Sequence, residues 1–189
     1  MPFQAIETKR LLIRDWKETD LEPFAVLNGD PDVMEFFPAI LSAEQSNAMA
    51  AVIREKIDRN RYGFFAVELK ETGKFIGFVG LNNPAAPLPF KPCVEIGWRL
   101  GKEAWGFGYA TEAAATCLDF AFDNLSLVEV VSFTATINLK SQKVMQRLGF
   151  RQNKDEDFDH PDVPEGHPLR PHVLYRLSRD DWHKKSRSL

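Results

Sequence analysis

The sequence predicts one α/β domain built around a mixed central sheet, and three patterns carry that expectation. Residues 64–69 and 75–81 are β-rich runs joined by Lys70-Glu71-Thr72-Gly73-Lys74, a spacing that reads as an antiparallel hairpin. Residues Ala110, Ala113, Ala114, Cys117, Leu118, Ala121 and Phe122 recur at helical spacing and define one apolar stripe. Strands and helices otherwise follow each other without regular βα alternation, which excludes a doubly wound sheet. The length of 189 residues and the 44% hydrophobic content suit a single domain, 1–189, with a core of its own.

Taken in order, Arg10-Leu11-Leu12-Ile13-Arg14 predicts a short first strand. Helical turns are expected over 21–27, and Asp30-Pro31 reads as an N-cap followed by proline at the first helical position. Ser42 and Gln45 have capping-box spacing and open a helix with Met49, Val52, Ile53 and Ile57 inward, fading by Asn60. After the hairpin, the proline-rich residues 84–92 form a surface loop. Next, Val94, Ile96, Trp98 and Leu100 alternate with Glu95, Gly97 and Arg99 on the two faces of a strand. The stripe helix follows, then a strand over 128–136. Asn138 caps a short helix that Gly149 ends, and 172–177 give a last strand. The basic residues 183–187 read as a frayed end.

Composition excludes several classes. With 27 acidic against 24 basic side chains, the net charge of −3 offers no basic face for a nucleic acid. Two cysteines, Cys93 and Cys117, are too few for a disulfide framework and point to a reducing, cytoplasmic setting. No apolar run is long enough to span a bilayer, and residues 1–10 lack a signal-peptide core. His160, His167 and His172 lie among acidic residues, but in an irregular Gly/Pro loop. A metal is therefore not expected, and the acidic loop is read as facing a cationic partner or solvent.

The most informative segment is Trp105-Gly106-Phe107-Gly108-Tyr109-Ala110-Thr111-Glu112-Ala113, between a strand and the stripe helix. Glycines let backbone N–H groups approach an anion, and a helix start adds a positive dipole end. Neither a P-loop lysine nor a three-glycine dinucleotide fingerprint is present. On spacing alone, a plain tight turn explains these glycines equally well.

A second segment, Asn138-Leu139-Lys140-Ser141 through Leu148-Gly149-Phe150, also follows a strand. Together the two segments resemble the GNAT superfamily of acetyl-CoA-dependent N-acetyltransferases. Within it, the opening Thr8-Lys9-Arg10-Leu11-Leu12-Ile13-Arg14 and Val94-Glu95-Ile96-Gly97-Trp98 are most similar to the RimJ/RimL-type branch, with the likeness covering about 7–177. The resemblance implies a GNAT-type mixed sheet flanked by helices, the acyl-CoA N-acyltransferase fold. It implies acetyl-CoA as cosubstrate and a protein N-terminus as acceptor. The alternatives are a small amine such as an antibiotic or polyamine, or a silent acyl-CoA-binding regulator. By position, backbone around Gly106, Phe107, Gly108, Tyr109 and Ala110 would hold the pyrophosphate, with Thr111 adding a hydroxyl. Main-chain groups of Trp98, Arg99 and Leu100 would pair with the pantetheine arm, Asn138 would bond the cofactor, and Ser141 would sit near the sulfur. Two departures stand out: Glu103 where the superfamily often has Gln or Arg, and Met145 where it often has an acid tyrosine. Lys102, Lys140 or Lys143 would then supply positive charge.

Acyl transfer from a thioester needs a neutral amine. An α-amine of pKa roughly 8 is about a tenth neutral at pH 7, at a cost of about 1 kcal/mol, against about 4.6 kcal/mol for a lysine. A carboxylate acting through water suffices for the easier amine, and Glu95 is the candidate base. Ser141 is the candidate acid. The leaving thiol has a pKa of roughly 8.5, so that acid is helpful rather than essential. Cys93 and Cys117 are read as core or incidental thiols.

Overall fold

The sequence's punctuation becomes fourteen elements in the computed structural model, which describes residues 5–186. In chain order these are β1 (Ile6–Glu7), β2 (Leu11–Arg14), α1 (Leu21–Gly29), α2 (Ala43–Asn60), β3 (Phe64–Leu69), β4 (Phe75–Asn82), β5 (Glu95–Leu100) and α3 (Tyr109–Asp119). Then come β6 (Glu129–Ala135), α4 (Leu139–Leu148), β7 (Arg151–Gln152), β8 (Phe158–Asp159), β9 (Pro171–Ser178) and α5 (Arg179–Ser186). They fall into two compact units: the chain to Asn82 with Gly97–Thr116, and Asn83–Ile96 with the chain from Cys117. The boundaries fall inside β5 and α3.

The first unit is an antiparallel run in which β1 pairs β2, β2 pairs β3 and β3 pairs β4. The expected hairpin is present, and Gly73 turns it with φ +68°. At the end of β5, Gly101 N donates to Ile76 O at 2.9 Å. Gly77 has no alternative there: a Cβ would lie 2.1 Å from the Arg99 carbonyl. Trp16, Phe24, Phe75 and Phe78 form the aromatic core, with Trp16 Nε1 donating to the Phe64 carbonyl. The Ser42–Gln45 capping box forms as read, with both reciprocal bonds present. Ile53 and Ile57 of α2 are buried with Ala50, whereas Val52 is 52% exposed and does not belong to the stripe.

The second unit holds a mixed sheet. β5 starts parallel to β6 at Glu95↔Val131, β6 pairs antiparallel with β9, and β7 and β8 also pair with β9. Asn138 Oδ1 accepts from Ser141 N at 3.1 Å to cap α4, and Gly149 ends it at φ +92°. Leu118, Phe122, Val130, Met145, Leu148, Leu174 and Trp182 are its core.

Two expectations fail for local reasons. Asp30-Pro31 opens no helix: Asp30 ends α1, and its carboxylate accepts from Asp32 N at 2.8 Å, making a turn. The basic end is not frayed through residue 185. His183 pairs with Asp123 at 3.0 Å and Lys185 donates to the Arg147 carbonyl, so the segment forms α5. Arg187 and residues 1–4 of the expected leaderless start lie outside the described residues. Among the described residues, no helix is long and apolar enough to cross a membrane.

Candidate active site

The glycine turn leaves β5 through Gly101 and a short 3-10 turn, Lys102–Ala104. Trp105 Nε1 donates to the Leu100 carbonyl at 2.9 Å, pinning the turn to the strand end. Gly106 and Gly108 then take φ of +83° and +81°, a backbone region other residues enter with strain. A Cβ at Gly106 would meet nothing within 4 Å. The position is thus left-handed and open on its Cβ side, as the Gly73 hairpin turn is; what sets this turn apart is the helix start that follows it.

Helix α3 begins at once. Its first backbone bond runs from Glu112 N to Gly108 O at 3.0 Å, so the preceding amides have no carbonyl inside the helix. The Thr111 hydroxyl sits in this first turn, buried and without a hydrogen-bond partner. An orphaned donor beside open backbone amides at a positive dipole end is what a phosphate anion satisfies. The residues present fit a pyrophosphate.

Arg10, which sequence reading passed over, organises the loop. Its Nη1 donates to the Phe107 carbonyl at 2.8 Å, and its guanidinium lies 4.5 Å from the Tyr109 ring centre. Its Nε and Nη2 grip Glu112 at 2.7 and 2.6 Å, while Thr8 Oγ1 donates to the same carboxylate. Burial by itself would raise the Glu112 pKa, but the bonds from Thr8 and Arg10 and the Arg10 charge pull it below the usual value. The Thr8/Arg10 pair and Glu112 are both quoted in the sequence motifs; only their hundred-residue separation concealed the contact.

The lysines named for phosphate charge fare differently. Lys102 is ion-paired with Asp32, and Lys143 is exposed on α4. Glu103 pairs with Lys74 at 3.1 Å. Arg10 does reach the turn, with Nη2 3.7 Å from where a Gly108 Cβ would stand.

The remaining predicted residues distribute between the units. Trp98 is half-buried and Leu100 buried in the first, with the Leu100 carbonyl already engaged by Trp105. Arg99 is buried there, its side chain turned away from water. Glu95, Asn138 and Ser141 belong to the second unit, all half-buried. Glu95 stands beside Cys93, where burial first and the Glu95 charge second push the thiol pKa up. Asn138 spends its oxygen on the Ser141 amide and its nitrogen on Thr134 Oγ1 at 3.0 Å, so capping is its observed work. Burial pushes Cys117 up to about 12, which fits an inert core thiol.

Part of the acidic loop is engaged within the fold, while Asp155, Asp162 and Glu165 are exposed. Glu156 pairs with Arg176 at 2.8 Å, Asp159 with Arg170 at 3.2 Å, and Asp157 accepts from Gln152. His160 and His172 stack with Phe133 and Phe158, and burial lowers the pKa of both. Among the described residues no group of three or more His, Cys, Asp or Glu is arranged to hold a metal.

With this geometry in place, comparison is informative. Residues 10–151 match the acetyltransferase (GNAT) domain family, and the chain belongs to it. Its fold is the mixed sheet flanked by helices of acyl-CoA N-acyltransferases, and acetyl-CoA is the family's cosubstrate. The chain is similar to YnaD, an uncharacterised N-acetyltransferase of Bacillus subtilis, at 28% identity over 94% of this chain and 98% of that one. An acetyltransferase structure from Agrobacterium tumefaciens matches at 26% identity and a TM-score of 0.75, covering 94% and 95%. The ribosomal-protein-S5-alanine acetyltransferase of Vibrio fischeri shares the fold at 21% identity and a TM-score of 0.74, covering 95% and 99%.

Proposed function

We propose that this acetyltransferase moves acetyl from acetyl-CoA directly to a protein N-terminal amine in a ternary complex, as a RimJ/RimL-type enzyme of the cytoplasm. The observation that carries the reading is the open, left-handed Gly106 cradle next to the orphaned Thr111 hydroxyl at the start of α3. The amine class follows from the proton cost: an α-amine is neutral far more often than a lysine at pH 7. The V. fischeri protein that shares the fold is named for an alanine of ribosomal protein S5.

In this reading both units serve one catalytic domain. Gly106–Ala110 amides and Thr111 hold the pyrophosphate, main-chain groups of Trp98, Arg99 and Leu100 receive the pantetheine, and Asn138 adds a bond beyond its capping role. Glu95 accepts the ammonium proton through water, and the neutral amine attacks the thioester carbonyl, which a backbone N–H near Trp98 polarises. The C–N bond forms and the C–S bond breaks; Ser141 gives the thiolate its proton and recovers one, through water, from the amine nitrogen made cationic by the attack. Small amines such as polyamines are the second acceptor class, since the same chemistry serves any unprotonated primary amine. A screen for thiol release from acetyl-CoA across N-terminal peptides and small amines tests the reading.

A further inference from the structure

Two arginines are buried in the first unit, and they are treated in opposite ways. Arg14 is 6% exposed and meets two carboxylates: Asp20, bidentate at 2.7 and 2.8 Å, and Glu68 at 2.7 Å. Arg99, at 8% exposed, meets none. Its Nη1 donates to Asn28 Oδ1 at 2.6 Å and stands 3.8 Å from Met49 Sδ. Its Nε is buried with no hydrogen-bond partner. The rest of its surroundings is aromatic, with the Phe37 ring centre at 4.0 Å and Phe78 at 5.5 Å. Burial lowers its pKa to about 10, so it stays charged at pH 7.

The polar end of this site is built with care. Asn28 is fully buried, and its amide nitrogen donates to the equally buried Ser46 hydroxyl at 2.8 Å, which turns Oδ1 toward Arg99. A buried guanidinium whose Nε–H is unpartnered and whose Nη1 meets only neutral acceptors, Asn28 Oδ1 and Met49 Sδ, keeps donor capacity that an anion would complete. Phe37, 36% exposed and outside any helix or strand, is the cover over the guanidinium.

We infer that Arg99 binds a carboxylate carried by the amine acceptor, the anion pairing with the guanidinium donors that Asn28 leaves free. The inference rests on the acetyltransferase reading for the word acceptor, and on the unit's own geometry for the anion. The carboxylate belongs either to an acidic residue near a polypeptide N-terminus or to a small amino acid.

Matched acceptor pairs separate these sources: a peptide with Glu against the same peptide with Gln, and an amino acid against its amide. The wild-type enzyme is expected to prefer the carboxylate member of one pair by tenfold or more in kcat/KM. In Arg99→Gln that ratio falls to within twofold of unity. No preference in either pair, or an unchanged preference in Arg99→Gln, overturns the inference. Independently of turnover and of whether the variant folds, the Arg99 Nε–H resonance of the wild-type protein should shift with the carboxylate member and not with its amide. A resonance that ignores both overturns it. Absence of thiol release with every amine would instead sink the acetyltransferase reading, and the resonance would still report on the anion site.

Discussion

Arg10 and Glu112, 102 residues apart in sequence, form a two-pronged ion pair at 2.7 and 2.6 Å that closes the edge of β2 onto the first turn of α3. The same guanidinium holds the Phe107 carbonyl, so one side chain fixes both the glycine turn and the helix that receives it. On the proposed reading, binding of acetyl-CoA is expected to depend on a pair that need not touch it. Glu112→Gln keeps the shape but halves the charge complement. Because the pair is partly exposed, the expected loss is modest, about 1 kcal/mol or roughly fivefold in acetyl-CoA affinity. Calorimetric titration checks it, and an affinity within experimental error of wild type would remove the pair from the site.

Thr111 offers a cleaner separation of folding from binding. Replacing an unsatisfied buried hydroxyl with a methyl group of the same shape is close to neutral for stability, or slightly favourable. Thr111→Val is thus expected to match or exceed the wild-type urea midpoint while binding acetyl-CoA about five- to tenfold more weakly. Loss of stability with intact affinity would mean the hydroxyl has a partner in the free protein and none in the ligand.

Glu95 and Ser141 are separable by pH. If Glu95 takes the amine proton, Glu95→Gln should erase the acidic limb of the kcat/KM profile, whereas Ser141→Ala should lower kcat at every pH and leave acetyl-CoA affinity alone. An acidic limb that survives in Glu95→Gln takes that residue out of the base role.

Acid should unfold the protein partly through the Arg14 network. Burial alone would raise the Glu68 pKa, but hydrogen bonds from Arg14 and Lys17 and their charges pull it below the ordinary value. A depressed folded pKa gives stability that is complete above the unfolded value of about 4.3 and is lost as pH falls through the folded value. Urea midpoints taken from pH 7 to pH 3 should fall more steeply for wild type than for Glu68→Gln; parallel curves would contradict the assignment. Asp20→Asn, which strips the buried Arg14 of its bidentate partner, is expected to cost about 3 kcal/mol at pH 7.

Local signals were legible wherever one short stretch determines its own structure. The Ser42–Gln45 box, the Gly73 hairpin turn, the Asn138 cap and the Gly149 stop need only neighbouring residues, and each is present. The glycine turn was legible as a left-handed turn leading into a helix for the same reason. What escaped depends on long-range pairing. Arg10 looks like a strand-end charge until Glu112 arrives, and Asp159 and Glu156 look open until Arg170 and Arg176 pair with them. Arg99 read as a backbone position because alternation places a residue on a face without telling what covers that face. The Asp30-Pro31 signal failed because a capping residue also makes Asx turns, and nothing local chooses between the two.

The central claim is that the chain presents acetyl-CoA in the Gly106 cradle to an amine. Thiol release measured with acetyl-CoA and an α-amine peptide, wild type beside Gly106→Val, tests it most directly. The account predicts thiol released in step with N-acetylated peptide by wild type. It also predicts at least a tenfold loss in Gly106→Val, whose Cβ and branches would occupy the open space at a strained φ. Binding of acetyl-CoA by wild type with no thiol release for any amine, or full turnover by Gly106→Val, would contradict it.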